Sequence, residues 1–313
     1  MAPIKQPLRG LLPSIMVILG AIAFIFAGEN IFNLDPGTLA VYALFFVWVA
    51  FVISLCEKWP VGKWKQPAVG LFFLTVALII GALHPLMMGW LGFGAEWYWP
   101  LISNLFLGVG IVIAFSNGLV GGFKQPKSIF SNALFMYVFA IVCLLWFGFV
   151  PAIWFAIFVL YFFWLETWPF ASVKQPARGI LLFVVMGFLA LLFEYAFEKA
   201  GTTFFNSDAG LWFVLWTWWL VVTSWELETW PLKNIRQPLK GLGGFLITVP
   251  LTFATYYVIV DVLHLPLGDA GMYAWIFVAW VYSWDILFGK WPAERPAPIE
   301  TVEVSSEVAT PAK

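Results

Sequence analysis

The chain has 313 residues, of which 62% are hydrophobic and only 11% are charged, and its mean hydropathy is +0.92. Soluble domains are about half apolar and roughly one quarter charged, so this composition excludes a soluble globular protein and indicates that a lipid bilayer is the solvent. The net charge of −1 and the lack of a basic stripe give no indication of a nucleic-acid partner.

A three-residue motif, Lys-Gln-Pro, recurs along the chain, and a long apolar run follows each copy. The copies lie 50 to 62 residues apart, and a second apolar run fills the rest of each interval. The copies are Lys5-Gln6-Pro7, Lys65-Gln66-Pro67, Lys124-Gln125-Pro126, Lys174-Gln175-Pro176 and, with arginine first, Arg236-Gln237-Pro238. This pattern predicts an all-α integral membrane protein with ten transmembrane helices, built from five tandem parallel helical-hairpin repeats.

The predicted repeats form a single transmembrane domain, residues 1–292. Their approximate bounds are 1–60, 61–119, 120–169, 170–231 and 232–292. In chain order, the predicted helices are 7–27, 36–56, 67–88, 100–119, 126–148, 151–167, 176–198, 208–229, 238–263 and 270–289. Each is about 17–25 residues long, enough to cross a hydrocarbon core of ~30 Å. Residues 293–313 lack periodicity and are predicted to form a disordered cytoplasmic tail.

Prolines and aromatic residues mark particular points on these helices. Asp35-Pro36 combines a capping residue with a proline and predicts a helix start. Pro250 lies inside the ninth helix and should kink it, and the hydroxyls of Thr248 and Thr252 are candidates to satisfy the freed carbonyl. Tryptophans in the loop before residue 100 are typical of an interfacial aromatic belt.

The distribution of basic residues predicts the orientation. All lysines and arginines except Lys199 fall on the side of the predicted helices that carries the Lys-Gln-Pro motifs. Because short loops rich in Lys and Arg remain in the cytoplasm, we expect the motifs and both termini to be cytoplasmic. The expected location is a bacterial or archaeal cytoplasmic membrane.

Three linkers share an acidic residue that precedes the base of the next motif copy by eight residues. These rim acids are Glu57, Glu166 and Glu228. An acid at the carboxyl end of a helix is unfavourable for the helix dipole, so we expect ion pairs within a linker or with a neighbouring hairpin. One hypothesis makes the charged rim a transport gate, and the other makes it a set of membrane anchors. The second copy lacks the acid, which weakens the gate hypothesis.

The repeated glutamine has no role in anchoring, which needs only the charge, and Gln is not a preferred N-cap. Its amide is able to tie one linker to the backbone of the next hairpin, which would make the motif an assembly device. Ancestral duplication without later drift is the alternative. Gly10, Gly70, Gly179 and Gly241 each follow a motif glutamine by four residues, where the third copy has Ile129. Small residues at helix starts permit close helix approach.

Polar chemistry is scarce within the predicted membrane region. The only histidines, His84 and His264, lie toward the loop side at different depths, which disfavours shared haem ligation. No nucleotide-binding, zinc-protease or serine-hydrolase motif is present. We therefore expect a protein that is not an enzyme, with no catalytic residues, no metal site and no cofactor.

Tryptophans and hydroxyls away from the belts are candidates to line a pocket for a lipid or isoprenoid. The candidate pocket residues are Trp216, Trp219, Thr252 and Tyr256. The sequence thus predicts a structural or accessory membrane subunit, or a scaffold that binds an apolar ligand. The alternative is a transporter or channel for a small uncharged solute. The expected partners are membrane lipids and protein subunits of a membrane complex.

Overall fold

The structure is a computed structural model that describes residues 6–55, 58, 60–115, 127–147, 153–204, 209–289 and 291–292. These residues are all-helical and contain no strand. The helices are α1 Leu8–Asn30, α2 Pro36–Leu55, α3 Ala68–Trp90, α4 Tyr98–Ala114, α5 Lys127–Phe147, α6 Ile153–Val159, α7 Ala177–Phe204, α8 Ala209–Val221, α9 Leu239–Tyr257 and α10 Leu267–Phe288. π-helical turns continue α6 over Leu160–Trp164, α8 over Val222–Glu226 and α9 over Val258–Val262.

Seven of the described helical segments are long and apolar enough to cross a membrane, which confirms the prediction of a helical membrane protein. They are α1, α2, α3, α5, α7, α9 with its π turn, and α10. The remaining helices, α4, α6 and α8, are shorter, with 17, 7 and 13 residues. Ten complete spans therefore remain a prediction. The expected tail, 293–313, lies outside the described residues.

The helices fall into a buried set and an exposed set. In α2 and α10, 72% and 61% of the apolar segment is buried, whereas the corresponding share is 17–33% in α1, α3, α5, α7 and α9. Most residues of α4 are buried as well. The exposed helices present large apolar side chains outward, such as Leu11, Ile15 and Leu19 on α1. Such faces suit lipid tails rather than water.

The five inner helices, α2, α4, α6, α8 and α10, form a closed cycle of contacts. α2 packs against α4 and α10, and α8 packs against α6 and α10. α4 meets α6 where the ring centroids of Phe106 and Phe155 are 5.1 Å apart. The cycle is thus complete within the described part of the chain.

Each outer helix packs in a groove between two inner helices. α1 lies against α10 and the π turn of α8, α3 against α2 and α10, α5 against α4 and α2, α7 against α6 and α4, and α9 against α8 and the π turn of α6. The closely packed sequential pairs are α2–α3, α4–α5, α6–α7 and α8–α9. These pairs are joined through Lys-Gln-Pro linkers, so the packed unit is shifted by one helix from the predicted hairpin.

The ends of α6 and α8 show that the same linker sequence folds in the same way twice. After each π turn, an acid and a threonine adopt positive φ, with values of 51° and 62° at Glu166 and Thr167, and 52° and 59° at Glu228 and Thr229. In both linkers, the threonine N–H donates to a carbonyl six residues earlier. We call this end of the bundle the linker end and the opposite end the loop end.

Pro250 lies inside α9, as expected, but the neighbouring hydroxyls do not bond as predicted. Pro250 removes the usual donor to the Leu246 carbonyl. The hydroxyls of Thr248 and Thr252 donate instead to the carbonyls of Gly244 and Thr248. A hydroxyl in a helix prefers the carbonyl four residues before it, and that geometry prevails here.

Candidate functional site

Four motif glutamines each bridge the start of one helix and the end of another. Each Nε2 donates to a distant backbone carbonyl: Gln6 to Glu226 at 3.1 Å, Gln66 to Leu287 at 2.9 Å, Gln175 to Ala114 at 2.8 Å and Gln237 to Trp164 at 2.7 Å. Each Oε1 accepts from the N–H of the glycine four residues later, at 3.0–3.3 Å. We call this pair of hydrogen bonds the glutamine bridge.

The bridge satisfies backbone groups that a helix leaves without intrahelical partners. In α3, Gly70 is the third residue, so no carbonyl of the helix lies four residues before its N–H. The carbonyls that receive the amide lie in the last turn of an inner helix or of its π turn, where no further helical N–H follows. One side chain therefore caps the amino end of its own helix and the carboxyl end of another.

The motif glycines lie where the bridged helices approach most closely. A Cβ on Gly10 would lie 2.4 Å from the carbonyl oxygen of Glu226, far inside van der Waals contact. A Cβ added at each of the other motif glycines would lie similarly close to a side-chain atom. The distances would be 2.3 Å from Gly70 to Phe288, 2.7 Å from Gly179 to Phe115 and 2.2 Å from Gly241 to Leu165. Glycine is required here because the space that a side chain would occupy is filled.

The four bridges share a single register. In each, the glutamine bonds one residue of the inner helix, and the glycine contacts the residue after it. The sequence predicts that each glutamine bonds the next hairpin along the chain, but the observed partner lies in a different hairpin. Gln237, for example, precedes α9 and bonds the end of α6. Lys5, Lys124, Gln125, Pro126 and Glu57 lie outside the described residues.

Two rim acids pair with bases that follow a motif glutamine by three residues. Lys240 donates to Glu166 at 2.5 Å, and the Lys240 side chain is 8% exposed. Glu228 pairs with Arg9 and, at 2.8 Å, with Lys233. Both contacts accompany a glutamine bridge, so the acid pairs across the same joint that the bridge closes.

The three motif bases that the structure describes take no part in these pairs. Lys65, Lys174 and Arg236 are exposed and form no ion pair with the described residues. The eight-residue spacing between acid and base therefore does not predict the partners. To identify the base three residues after the glutamine as the partner of a rim acid, one must know which helices meet.

The candidate pocket residues lie between α8 and α9. The indole N–H of Trp216 donates to Thr248 at 2.9 Å, and that of Trp219 donates to Thr255 at 2.8 Å. Thr252 and Tyr256 are buried nearby on α9. Neither cavity described below is lined by these four residues. Their observed contacts join two helices.

Aromatic rings from all five inner helices meet inside the cycle. We call this set the axial cluster: Phe51, Phe106, Phe155, Phe163, Trp225, Trp275 and Tyr282. Phe51 contacts Phe106, Tyr282 and Trp225 at centroid distances of 6.0, 5.1 and 6.5 Å. Trp225 also contacts Tyr282 and Phe163, and Phe155 contacts Phe106 and Trp275. The centre of the cycle is thus occupied by packed rings.

Two of the cavities lined by described residues differ in size and position. A cavity of about 30 Å³ lies beside the axial cluster, between α4, α6 and α7. A cavity of about 620 Å³ lies between α1, α8, α9 and α10, and its wall includes Ile18, Ile22 and Phe26, which are exposed on the surface of the bundle. We call the larger one the lateral cavity. Its volume is within the range of small-molecule sites.

The described residues include no group of three His, Cys, Asp or Glu side chains that could hold a metal ion. His84 is packed among aromatic rings, with the centroids of Phe45 and Tyr137 at 4.9 and 5.8 Å. Its Nδ1 lies 2.7 Å from the carbonyl oxygen of Ile80. These contacts give His84 a place in helix packing.

Alanine substitution of the motif glycines should destabilise the protein in proportion to the rigidity of what they face. In Gly10→Ala, the new methyl group meets a backbone carbonyl, and we expect the free energy of unfolding to fall by about 1–3 kcal/mol. In Gly241→Ala, the methyl group meets the end of the Leu165 side chain, which is able to move, so we expect a smaller loss. Gly271→Ala is the matched control, because nothing lies within 4 Å of that position. Unfolding titrations in detergent measure the order, and a Gly10 variant as stable as the Gly271 variant would contradict close packing.

A charge exchange tests the Glu166–Lys240 pair. Glu166→Lys and Lys240→Glu should each destabilise the bundle, and the double variant should recover about 1 kcal/mol through coupling. Lys174→Glu, eight residues from Glu166, should give no recovery because Lys174 forms no ion pair with the described residues. Equal recovery by the Lys174 and Lys240 variants in a double-mutant cycle would contradict this pairing.

Comparison with known proteins adds no analogy to this geometry. No protein-family model, no curated protein sequence and no solved structure matches the chain. The function must therefore be inferred from the bridges, the axial cluster and the lateral cavity.

Proposed function

We propose that the chain is a ten-span membrane scaffold of five repeats that binds an apolar, lipid-like ligand at its side and has no catalytic activity. The observation that carries the proposal is the contrast between its centre and its flank. The centre is filled by aromatic rings, with a neighbouring void of only about 30 Å³, whereas about 620 Å³ is open at the outer surface. Both termini are proposed to be cytoplasmic, from the basic residues of the linker end.

The glutamine bridges support the five-repeat architecture. In the predicted numbering, the bridges run from repeat 1 to 4, from 2 to 5, from 4 to 2 and from 5 to 3. Each step advances three places around a ring of five, and the same step predicts a bridge from repeat 3 to repeat 1. This register would bring Gln125 to the carbonyl of Leu55 and Ile129 to Cys56.

The two residues of the predicted fifth contact are complementary in size. In the four described contacts, a glycine faces leucine or phenylalanine at the equivalent positions, or the backbone beside it. The third copy has the larger Ile129 in place of glycine, and the residue opposite would be the smaller Cys56. An exchange of large and small residues across a contact conserves its packed volume.

A cysteine cross-link tests this closure. Ile129→Cys in a Cys143→Ala background should form a disulfide with the native Cys56 under mild oxidation, because the proposed register makes the two residues direct neighbours. Phe130→Cys is the control, since Phe130 is the next residue and is 71% exposed. Loss of thiol labelling reports the cross-link. Equal reaction of the two variants, or none by the Ile129 variant, would contradict the ring.

The alternative function, a channel or transporter for an uncharged solute, is disfavoured by the axial cluster. The apolar void beside the cluster is only about twice the minimum that a single water molecule needs. A path through the axis would require several rings to move together. A path along the flank is not subject to this objection, so flux has to be measured.

Purified protein should retain lipid at a fixed stoichiometry, and protein in vesicles should give no selective solute uptake. Native mass spectrometry measures the first, and light scattering after an osmotic step with a neutral solute measures the second. Empty vesicles and vesicles with Phe155→Trp protein are the controls, because Phe155 lines the small void. Selective uptake that the Phe155 variant abolishes would establish an axial path and overturn the scaffold.

A further inference from the structure

The lateral cavity is large enough, and open enough at the bundle surface, to receive one lipid chain. Its wall on α1 runs from Ile18 to Asn30 at the loop end. At 1.5 Å per residue, this stretch is about 18 Å long, a little more than half of a ~30 Å hydrocarbon core. The cavity therefore spans the depth of a single leaflet. Its wall is apolar over most of that depth, with Ile22, Ile259 and Phe277 contributing.

The mouth of the cavity is acidic. Glu29 lies at the end of α1 and accepts a hydrogen bond of 2.5 Å from the hydroxyl of Tyr273 on α10. Asp269 lies in the first turn of α10, four residues before Tyr273 and hence on the same face of the helix. None of the described residues that line the cavity is basic. The mouth thus offers carboxylate oxygens to a group that carries positive charge and N–H donors.

We propose that the lateral cavity binds a membrane lipid with a primary ammonium headgroup in the leaflet at the loop end, and that Glu29 accepts a hydrogen bond from the ammonium. This proposal rests on the proposed function and names its ligand class. A quaternary ammonium has no N–H to donate, and a headgroup with phosphate alone would face like charge. The headgroup therefore distinguishes this lipid from its neighbours in the bilayer.

Tyr273 is the positioning residue in this arrangement. Its hydroxyl donates a hydrogen bond to Oε1 of Glu29, and this bond fixes the carboxylate across the groove between α1 and α10. The other carboxylate oxygen remains for the ligand. Tyr273→Phe should therefore weaken the headgroup preference while the apolar wall, and hence chain binding, is retained.

The test uses the full chain in nanodiscs of phosphatidylcholine that contain a minor fraction of either phosphatidylethanolamine or phosphatidylglycerol. Native mass spectrometry should show about tenfold enrichment of phosphatidylethanolamine on the protein, as expected for a hydrogen bond to a charged group. Glu29→Gln should abolish the enrichment. Glu96→Gln, an exposed acid elsewhere on the loop side, is the matched control and should leave it unchanged.

A second variant distinguishes binding of the lipid's hydrocarbon chain from recognition of its headgroup. Ala274, a small buried residue of the wall, becomes large in Ala274→Phe, which should fill the cavity and remove the bound lipid whatever its head. Ala82→Phe on the exposed face of α3 is the control for size.

Three outcomes would overturn the proposal. Equal retention of phosphatidylcholine and phosphatidylethanolamine would show that the mouth does not select the head, while the proposed scaffold function would stand. Absence of any retained lipid would overturn the proposed function as well. A dimer mass that Ala274→Phe abolishes would show that a second copy of the chain occupies the cavity.

Discussion

The architecture depends on satisfying the backbone at helix ends with side chains from elsewhere in the chain. A helix leaves carbonyls at its carboxyl end and N–H groups at its amino end without partners, and low dielectric makes each unpaired group costly. Serine or aspartate could cap the amino end alone. Glutamine is long enough to reach the N–H of Gly10 with its oxygen and the carbonyl of Glu226 with its nitrogen. The motif therefore couples helix capping to helix assembly.

This coupling makes the ends of the chain interdependent. Gln6 and Gln66 are bonded to carbonyls about 220 residues away, so the glutamine bridges of α1 and α3 form only when α8 and α10 are present. The outer helices bury little of their own surface, and their exposed faces gain nothing from a bilayer beyond solvation. Their location therefore depends on specific contacts with the inner helices. Some lie along the helices, such as the Trp216–Thr248 hydrogen bond between α8 and α9. The bridges, the motif-glycine contacts and the Glu166–Lys240 pair add contacts at the linker end.

The sequence predicts the class of protein, the positions of most helices and the importance of the motif, because hydrophobic runs and repeats are local properties. It does not predict which helices meet. Five similar motifs are compatible with several ways of pairing each repeat with another around a ring, and only the tertiary contacts determine which pairing forms. For the same reason, the sequence predicts an ion pair of Glu166 within its linker or with a neighbouring hairpin but does not identify Lys240 as the partner. The axial cluster and the lateral cavity depend on side-chain packing between helices, which the hydrophobic pattern of the sequence does not predict.

The symmetry of the linker end contrasts with the loop end, and the contrast locates the proposed site. The four described bridges repeat one geometry, as a scaffold under common constraint should. α9 is the only described outer helix that ends in a π turn, and Ile259 of that turn lines the lateral cavity. π turns occur frequently at functional sites, because the extra residue in the turn re-aims side chains at a cost in regular bonding. The repeated contacts hold the bundle together, and the departure from repetition contributes Ile259 to the wall of the lateral cavity.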